Sequence, residues 1–275
     1  MKQMNAINTD EAWKVLYNRL KQEDLIPEEK TAHRIQPWNL AAAILLLCLL
    51  TGTGIFMLSD KQKNNLLSKT NNDVGTTLVT TLEDGSIVYL AGQTSVYYPP
   101  LFSGDERRVK IEGDALFDVR KEPERPFLVE TKHILVKVHG TTFRIHTNKG
   151  NFPFELSVKH GLVEITKKSD GKSILASTGE TVSLEGGNLV KKDTEGEFTQ
   201  FTSTMKFKDE PLENILKVLK ENSGTNIVLE SEDLKNQVLT VTFKNQSVNS
   251  MVKTICIALN LSFAEKSDGI FIYKP

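Results

Sequence analysis

Two cysteines in 275 residues, Cys48 and Cys256, exclude a disulfide framework. One lies in a long apolar run and the other on a helical apolar pattern, so nothing brings them together. A formal net charge of −1 excludes an electrostatic hold on nucleic acid. Aromatic residues make up only 7% of the chain, too few for an extended sugar-stacking array. Tyr97, Tyr98 and Phe102 form the one cluster, and they suit a β-core equally well. There is no Gly-x-Ser-x-Gly elbow, no phosphate-binding glycine loop and no His-Glu-x-x-His pair. His133, His139, His146 and His160 are spread over several strand-like runs, with no cysteine pair or acidic triad beside them. Glu112, Asp114 and Asp118 are the carboxylates closest to a glycosidase-like pairing, in a domain too small for a substrate cleft. The chain reads as a non-enzyme without cofactor or metal.

What the sequence does hold is a stretch without charge, from Arg34 to Asp60. Its core, Leu40 to Leu58, reads LAAAILLLCLLTGTGIFML and spans roughly 28 Å as a helix, the thickness of a bilayer's hydrocarbon layer. Residues 37–58 are therefore expected to be a single transmembrane helix, with Trp38 at the headgroup level. A cleaved signal peptide is the main alternative. The amphipathic segment ahead of Pro37 and the length of the apolar run speak against it. Lys14, Arg19, Lys21, Lys30 and Arg34 precede the run and Lys61, Lys63 and Lys69 follow it, which places the N-terminus inside.

Residues 1–36 make a short inner segment with one amphipathic helix. Trp13, Leu16, Tyr17 and Leu20 fall at i, i+3, i+4 and i+7, one apolar stripe on a helix with no core of its own. A membrane surface or a partner must cover it. Residues 59–75, rich in Asn and Lys, read as a linker.

From residue 76 to 193 the pattern becomes short runs broken by turn residues: TTLEDGSIVYLAG, RRVKIEGDALFDV, FLVET, ILVKVHGTTFRIHT, FELSVKHGLVEIT, SILAS and TVSL. Their β-branched and aromatic content predicts an all-β domain. After a linker at 194–204, residues 205–275 change again. FKDEPLENILKVLKENSGTNIVL from Phe207 overlays FKNQSVNSMVKTICIALNLSFAE from Phe243, an internal β-α-β repeat. Asp209 is the expected N-cap of its first helix and Gly224 the expected stop. The fold class is mainly β: one membrane helix, an all-β domain, and a small α/β domain of two β-α-β units.

These residues resemble a known family. Asp84-Gly85-Ser86, Tyr98-Pro99, Phe102, Arg108-Val109, Gly113-Asp114-Ala115, Phe117-Asp118-Val119, Arg125-Pro126-Phe127 and Gly140-Thr141-Thr142-Phe143 occur in the order seen in FecR-type anti-sigma regulators. Gly161-Leu162-Val163 and Gly179-Glu180 continue it. The C-terminal repeat resembles the DUF4974 domain of Bacteroidetes members, similar in layout to the short N-terminal domain of secretins and TonB-dependent receptors. Asp114 stands where glutamate is usual, and the inner segment is shorter than the several-helix segment of the family. The resemblance implies an inner-membrane protein, N-terminus cytoplasmic and C-terminal domains periplasmic. It implies two partners: an extracytoplasmic-function sigma factor on the inner side and the signalling domain of a TonB-dependent transducer on the outer. Trp13, Leu16, Tyr17 and Leu20 are the candidate sigma-factor contacts, and 205–275 the candidate transducer-facing surface. The competing reading is a membrane-tethered periplasmic scaffold or glycan-binding module.

Overall fold

The computed structural model of the chain describes residues 9–23, 25, 66–149, 152–193, 198 and 200–275. They fall into two units, Met1–Gln62 and Lys63–Pro275. In the first, helix α1 (Thr9–Gln22) carries Asp10 and Glu11 in its first turn and Arg19 and Lys21 in its last, the signs a helix dipole favours. None of its side chains is buried. The expected span at 37–58 lies outside the described residues. Among the described residues, no helix is long and apolar enough to cross a membrane.

The second unit is mainly β. One sheet has seven strands in the order β1 (Leu67–Asn71), β4 (Thr94–Tyr98), β5 (Arg107–Glu112), β7 (Phe127–Glu130), β8 (Ile134–Val138), β11 (Leu162–Lys167) and β12 (Ser173–Ser177). The other has nine: β14 (Asn188–Lys192), β13 (Thr181–Glu185), β10 (Phe152–His160), β9 (Thr142–Lys149), β6 (Asp114–Asp118), β3 (Ile87–Leu90), β2 (Thr77–Thr81), β15 (Thr204–Pro211) and β17 (Val238–Lys244). Helices α2 (Gln200–Ser203), α3 (Leu212–Ser223) and α4 (Val248–Leu259) accompany a third sheet of β16 (Ile227–Leu229), β19 (Gly269–Tyr273) and β18 (Ser262–Lys266).

The nine-stranded sheet is apolar on both faces where β2, β3 and β6 run through it. Leu78, Val88, Leu90, Ala115 and Phe117 point into a sandwich core shared with the seven-stranded sheet. Their sequence neighbours Val79, Ile87, Tyr89 and Leu116 point the other way, into a second core with Leu212, Ile215, Leu219, Val252 and Ile255 of α3 and α4. This is why IVYL is a continuous apolar run. By contrast β5 alternates strictly, burying Arg107, Val109 and Ile111 and exposing Arg108, Lys110 and Glu112.

Each unit of the C-terminal repeat runs strand, helix, strand, but its two strands lie in different sheets: β15 and β17 join the nine-stranded sheet, β16 and β18 the three-stranded one. The leading strands β15 and β17 pair antiparallel, and the trailing strands β16 and β18 flank β19. Gly224 closes α3 in the left-handed region with its N–H on the Lys220 carbonyl. Three local expectations change. Within the expected linker at 59–75, residues 67–71 form β1 against β4; it is an edge strand that buries only Asn71, so its sequence lacks apolar alternation. Within the expected linker at 194–204, residues 200–203 form α2 and bury Phe201. Asp209 does not cap α3. It sits at φ 50° in a bulge of β15, and the helix starts after Pro211.

The motif glycines mark places where the chain crosses between sheets. Gly113 joins β5 to β6 at φ 118°, and a Cβ there would lie 2.4 Å from Thr94 Oγ1. Gly140 joins β8 to β9 at φ 146°, with Lys121 Cα 2.5 Å from where a Cβ would sit. Gly161 and Gly179 lie at two further crossings. Gly113→Ala combines a clash with a strained backbone and is expected to destabilise by about 2–4 kcal/mol. Gly75→Ala, also at positive φ but with nothing within 4 Å, is expected to lose only about 1 kcal/mol. Urea midpoints of the two variants check this; equal losses would contradict it.

Candidate functional site

The four residues singled out on the inner segment share one face of α1, as their spacing requires. Trp13 is 68% exposed, Leu16 46% and Tyr17 52%, with Leu20 half-buried. Among the described residues this is a largely exposed apolar stripe on a helix with no buried side chain.

In the second unit, motif residues Asp84, Ser86 and Asp114 meet Arg107 and Arg144, which the motifs do not include, in two charged clusters. Arg107 is completely buried. Its Nη1 donates to Asp84 Oδ2 (2.7 Å) and the Arg120 carbonyl (3.1 Å), and its Nε to the Arg125 carbonyl (3.0 Å). The guanidinium lies 5.3 Å from the Phe127 ring centroid. Asp84 also accepts from the Ser86 amide (3.0 Å) and hydroxyl (2.7 Å). Desolvating such a pair offsets most of its attraction, so its value is positional. It ties the β2–β3 turn, in one sheet, to β5 and the entry to β7, in the other. The second cluster stands on β6 and β9. Arg144 donates to both oxygens of Asp114 (2.9 and 2.6 Å), and His146 Nδ1 lies 2.9 Å from the same carboxylate. Burial pushes the Asp114 carboxyl up, but His146 and Arg144 together outweigh it and hold it below the usual range. The Arg144 guanidinium also stacks 5.3 Å from the centroid of the Phe201 ring on α2.

The other singled-out polar residues do not assemble into a reactive group. Asp114 is committed to Arg144 and His146, Asp118 accepts from the Thr142 hydroxyl (2.8 Å), and Glu112 pairs with Lys110 (2.8 Å). His133 and His139 sit at opposite ends of β8, and His146 and His160 on β9 and β10. No three His, Cys, Asp or Glu side chains gather to hold a metal among the described residues. Cys256 is buried in the second core, and burial alone pushes its thiol up to about 11.

Between the sandwich and the C-terminal helices lies an open cleft of about 910 Å³, lined among others by Thr80, Thr81, Tyr98, Glu210, Asn214 and Lys217. Here the two parts are joined. β15 pairs parallel with β2 from Met205↔Thr77 to Phe207↔Val79. The bulge at Lys208 and Asp209 then carries β15 away and turns Glu210 inward. Its Oε1 accepts from the Thr81 backbone N–H (3.1 Å) and from Asn214 Nδ2 (2.9 Å), so a carboxylate replaces the next rung of the ladder. Lys217 on α3 donates to the Gly85 carbonyl, and Tyr89 on β3 donates to Asn222 Oδ1 (3.2 Å). Nothing in the local sequence around Glu210 announces this role. Its one trace is a second acid beside Asp209 just before Pro211.

Burial raises the Glu210 carboxyl, against the opposing pull of Asn214, Thr81, Lys69 and Thr80. A folded-state pKa above the unfolded one means that stability from this group is fully present below the unfolded value and is lost as pH rises through the folded one. Glu210→Ala, which strands the Thr81 and Asn214 donors, is expected to cost about 1–3 kcal/mol. Glu210→Gln keeps an acceptor and is expected to stay within about 1 kcal/mol of the parent at neutral pH. Lowering pH from 7 towards the ordinary glutamate range should improve the parent relative to Glu210→Gln. A pH series of denaturant midpoints checks the sign, and a gap that moves against the parent on acidification would refute the assignment.

The assembly is thus a two-sheet sandwich fused through a shared sheet to an α/β repeat, with a largely exposed amphipathic helix in its other unit. The FecR protein family matches residues 69–164, and the C-terminal domain of FecR matches residues 204–272, together well over half of the chain. The chain belongs to the FecR family. Among solved structures, two of a candidate anti-sigma factor from Parabacteroides distasonis ATCC 8503 are similar. One is 24% identical with a TM-score of 0.47, the other 23% with 0.46, each covering 76% of this chain and 99% of that one. The comparison with curated proteins returned no match.

Proposed function

We propose that the chain is a single-pass inner-membrane regulator of an extracytoplasmic-function sigma factor, driven from the periplasm by the signalling domain of a TonB-dependent transducer. Family membership supports sigma-factor regulation in general. The observation that carries the inner half is the stripe Trp13, Leu16, Tyr17 and Leu20. It stands largely exposed on α1, ahead of the charge-free run at 37–58. A fourteen-residue helix of this kind is marginal alone in water and gains its stability by laying its stripe into a groove. On this reading residues 37–58 cross the membrane, residues after 58 are periplasmic, and no catalytic step is involved. The glycan-binding alternative loses ground because Tyr98 and Phe102 are buried, which leaves no aromatic platform in that cluster.

Co-purification of the full chain in detergent with the cell's sigma factors tests the inner contact. The expected result is one extracytoplasmic-function sigma factor, lost on Trp13→Asp with Leu16→Asp. Retention by that double variant would remove the stripe from the account, and no sigma factor at all would remove the function.

On the outer side, residues 205–275 are the transducer-facing surface in this reading. A pull-down with a transducer signalling domain should capture the full chain. Capture by a chain ending before residue 205 would sink this placement.

A further inference from the structure

The nine-stranded sheet ends in two unlike edges. β14 carries Lys191 and Lys192, and such charges protect an edge from pairing. β17, Val238–Lys244, reads VLTVTFK: seven residues with a single charge, at the last position, no proline and four β-branched side chains. Its one partner among the described strands is β15. The outer strands of the other sheets are shorter. Among the described strands β17 is therefore the longest edge of the unit.

Its polarity is set by the ladder. The Asn245 N–H bonds the Ser203 carbonyl and the Leu212 N–H bonds the Gln237 carbonyl, so the odd-numbered residues of β17 turn their backbone groups towards β15. The bulge at Lys208 and Asp209 leaves this alternation in β17 intact, because the extra residue lies in β15. The backbone N–H and C=O groups of Val238, Thr240, Thr242 and Lys244 thus face outward. Side chains alternate as well. Leu239 and Val241 lie half-buried at the open end of the second core, with Phe243 buried beside them.

We propose that β17 is a homotypic docking edge, at which two copies of the chain pair antiparallel about a two-fold axis through Val241. In that register the outward residues meet one another, Val238 with Lys244 and Thr240 with Thr242, giving about eight backbone hydrogen bonds. The parity is the one a hydrogen-bonded ladder requires. Lys244 stands opposite Val238 of its mate, so no like charges face each other. On the core side Leu239 meets Phe243 and Val241 meets Val241 at a closely spaced, non-hydrogen-bonded position. The half-buried edge of each second core is then covered by its mate's, and the contact is isologous and closes at two copies. The fold already uses this device internally, where β15 adds to β2. This inference is independent of the sigma-factor reading.

The test uses the full chain in detergent, with Cys48→Ser to remove the other thiol outside the second core. Light scattering should give a dimer. Val241→Cys should form an intermolecular disulfide on mild oxidation, well above an exposed control on α4, Thr254→Cys. Thr242→Pro removes only an outward N–H, so it should give a monomer whose melting curve matches that of the parent diluted until it is monomeric, and Thr242→Lys should do the same through charge. A monomer at all concentrations, a dimer that survives both Thr242 variants, or Val241→Cys crosslinking no better than Thr254→Cys would each overturn the proposal.

Discussion

The structure of the larger unit depends on one constraint: a single sheet must bury both of its faces. β2, β3 and β6 alternate apolar residues to either side, so the sandwich alone would leave Val79, Ile87, Tyr89 and Leu116 in water. The C-terminal repeat has the complementary need, since Leu212, Ile215 and Leu219 on α3 and Val252 and Ile255 on α4 require a floor. The parallel addition of β15 to β2 meets both needs at once. Each face then contributes the roughly 25 cal/mol per Å² that apolar burial is worth. Polar joints such as Glu210 on Thr81, Lys217 on Gly85 and Tyr89 on Asn222 fix the register at which the two halves meet.

The family motifs, together with Arg107 and Arg144, which lie outside them, are the hardware of sheet crossing. Asp84, Ser86 and Arg107 hold a turn of one sheet against a strand of the other. Gly113 and Gly140 occupy backbone positions where a Cβ has no room. Asp114 and Arg144 face the second core and reach α2 through Phe201. Such a shared wall has a mechanical consequence: a load on the C-terminal helices bears directly on the strands that also line the sandwich core.

Much of this was legible in the sequence. Alternation and turn residues marked β2, β3 and β5 to β13 but not β4, Gly224 ended α3 as expected, and the repeat aligned the ends of β15 and β17 with the helix and strand that follow each. The stripe on α1 followed from spacing alone. What the sequence did not disclose were features without periodicity of their own. β1 is an exposed edge whose stability comes from β4, α2 is a four-residue turn that buries Phe201, and Asp209 serves a bulge and not a cap. The doubly buried character of IVYL was present as a missing alternation, but its meaning depends on a strand more than a hundred residues away. Glu210 is the clearest case, since a carboxylate standing in for a ladder rung is visible only once β2 and β15 lie side by side.

Hydrogen exchange across β2, β3, β15 and the sandwich strands tests the shared wall most directly. If sandwich and repeat are one cooperative unit, the amides of Val79 on β2 and Phe207 on β15 should exchange with the same opening free energy as those of Val88 and Phe117. Fast exchange of β15 and α3 while β3 and β6 stay protected would mean that the repeat is a separate lobe, and the account of a wall buried on both faces would fail.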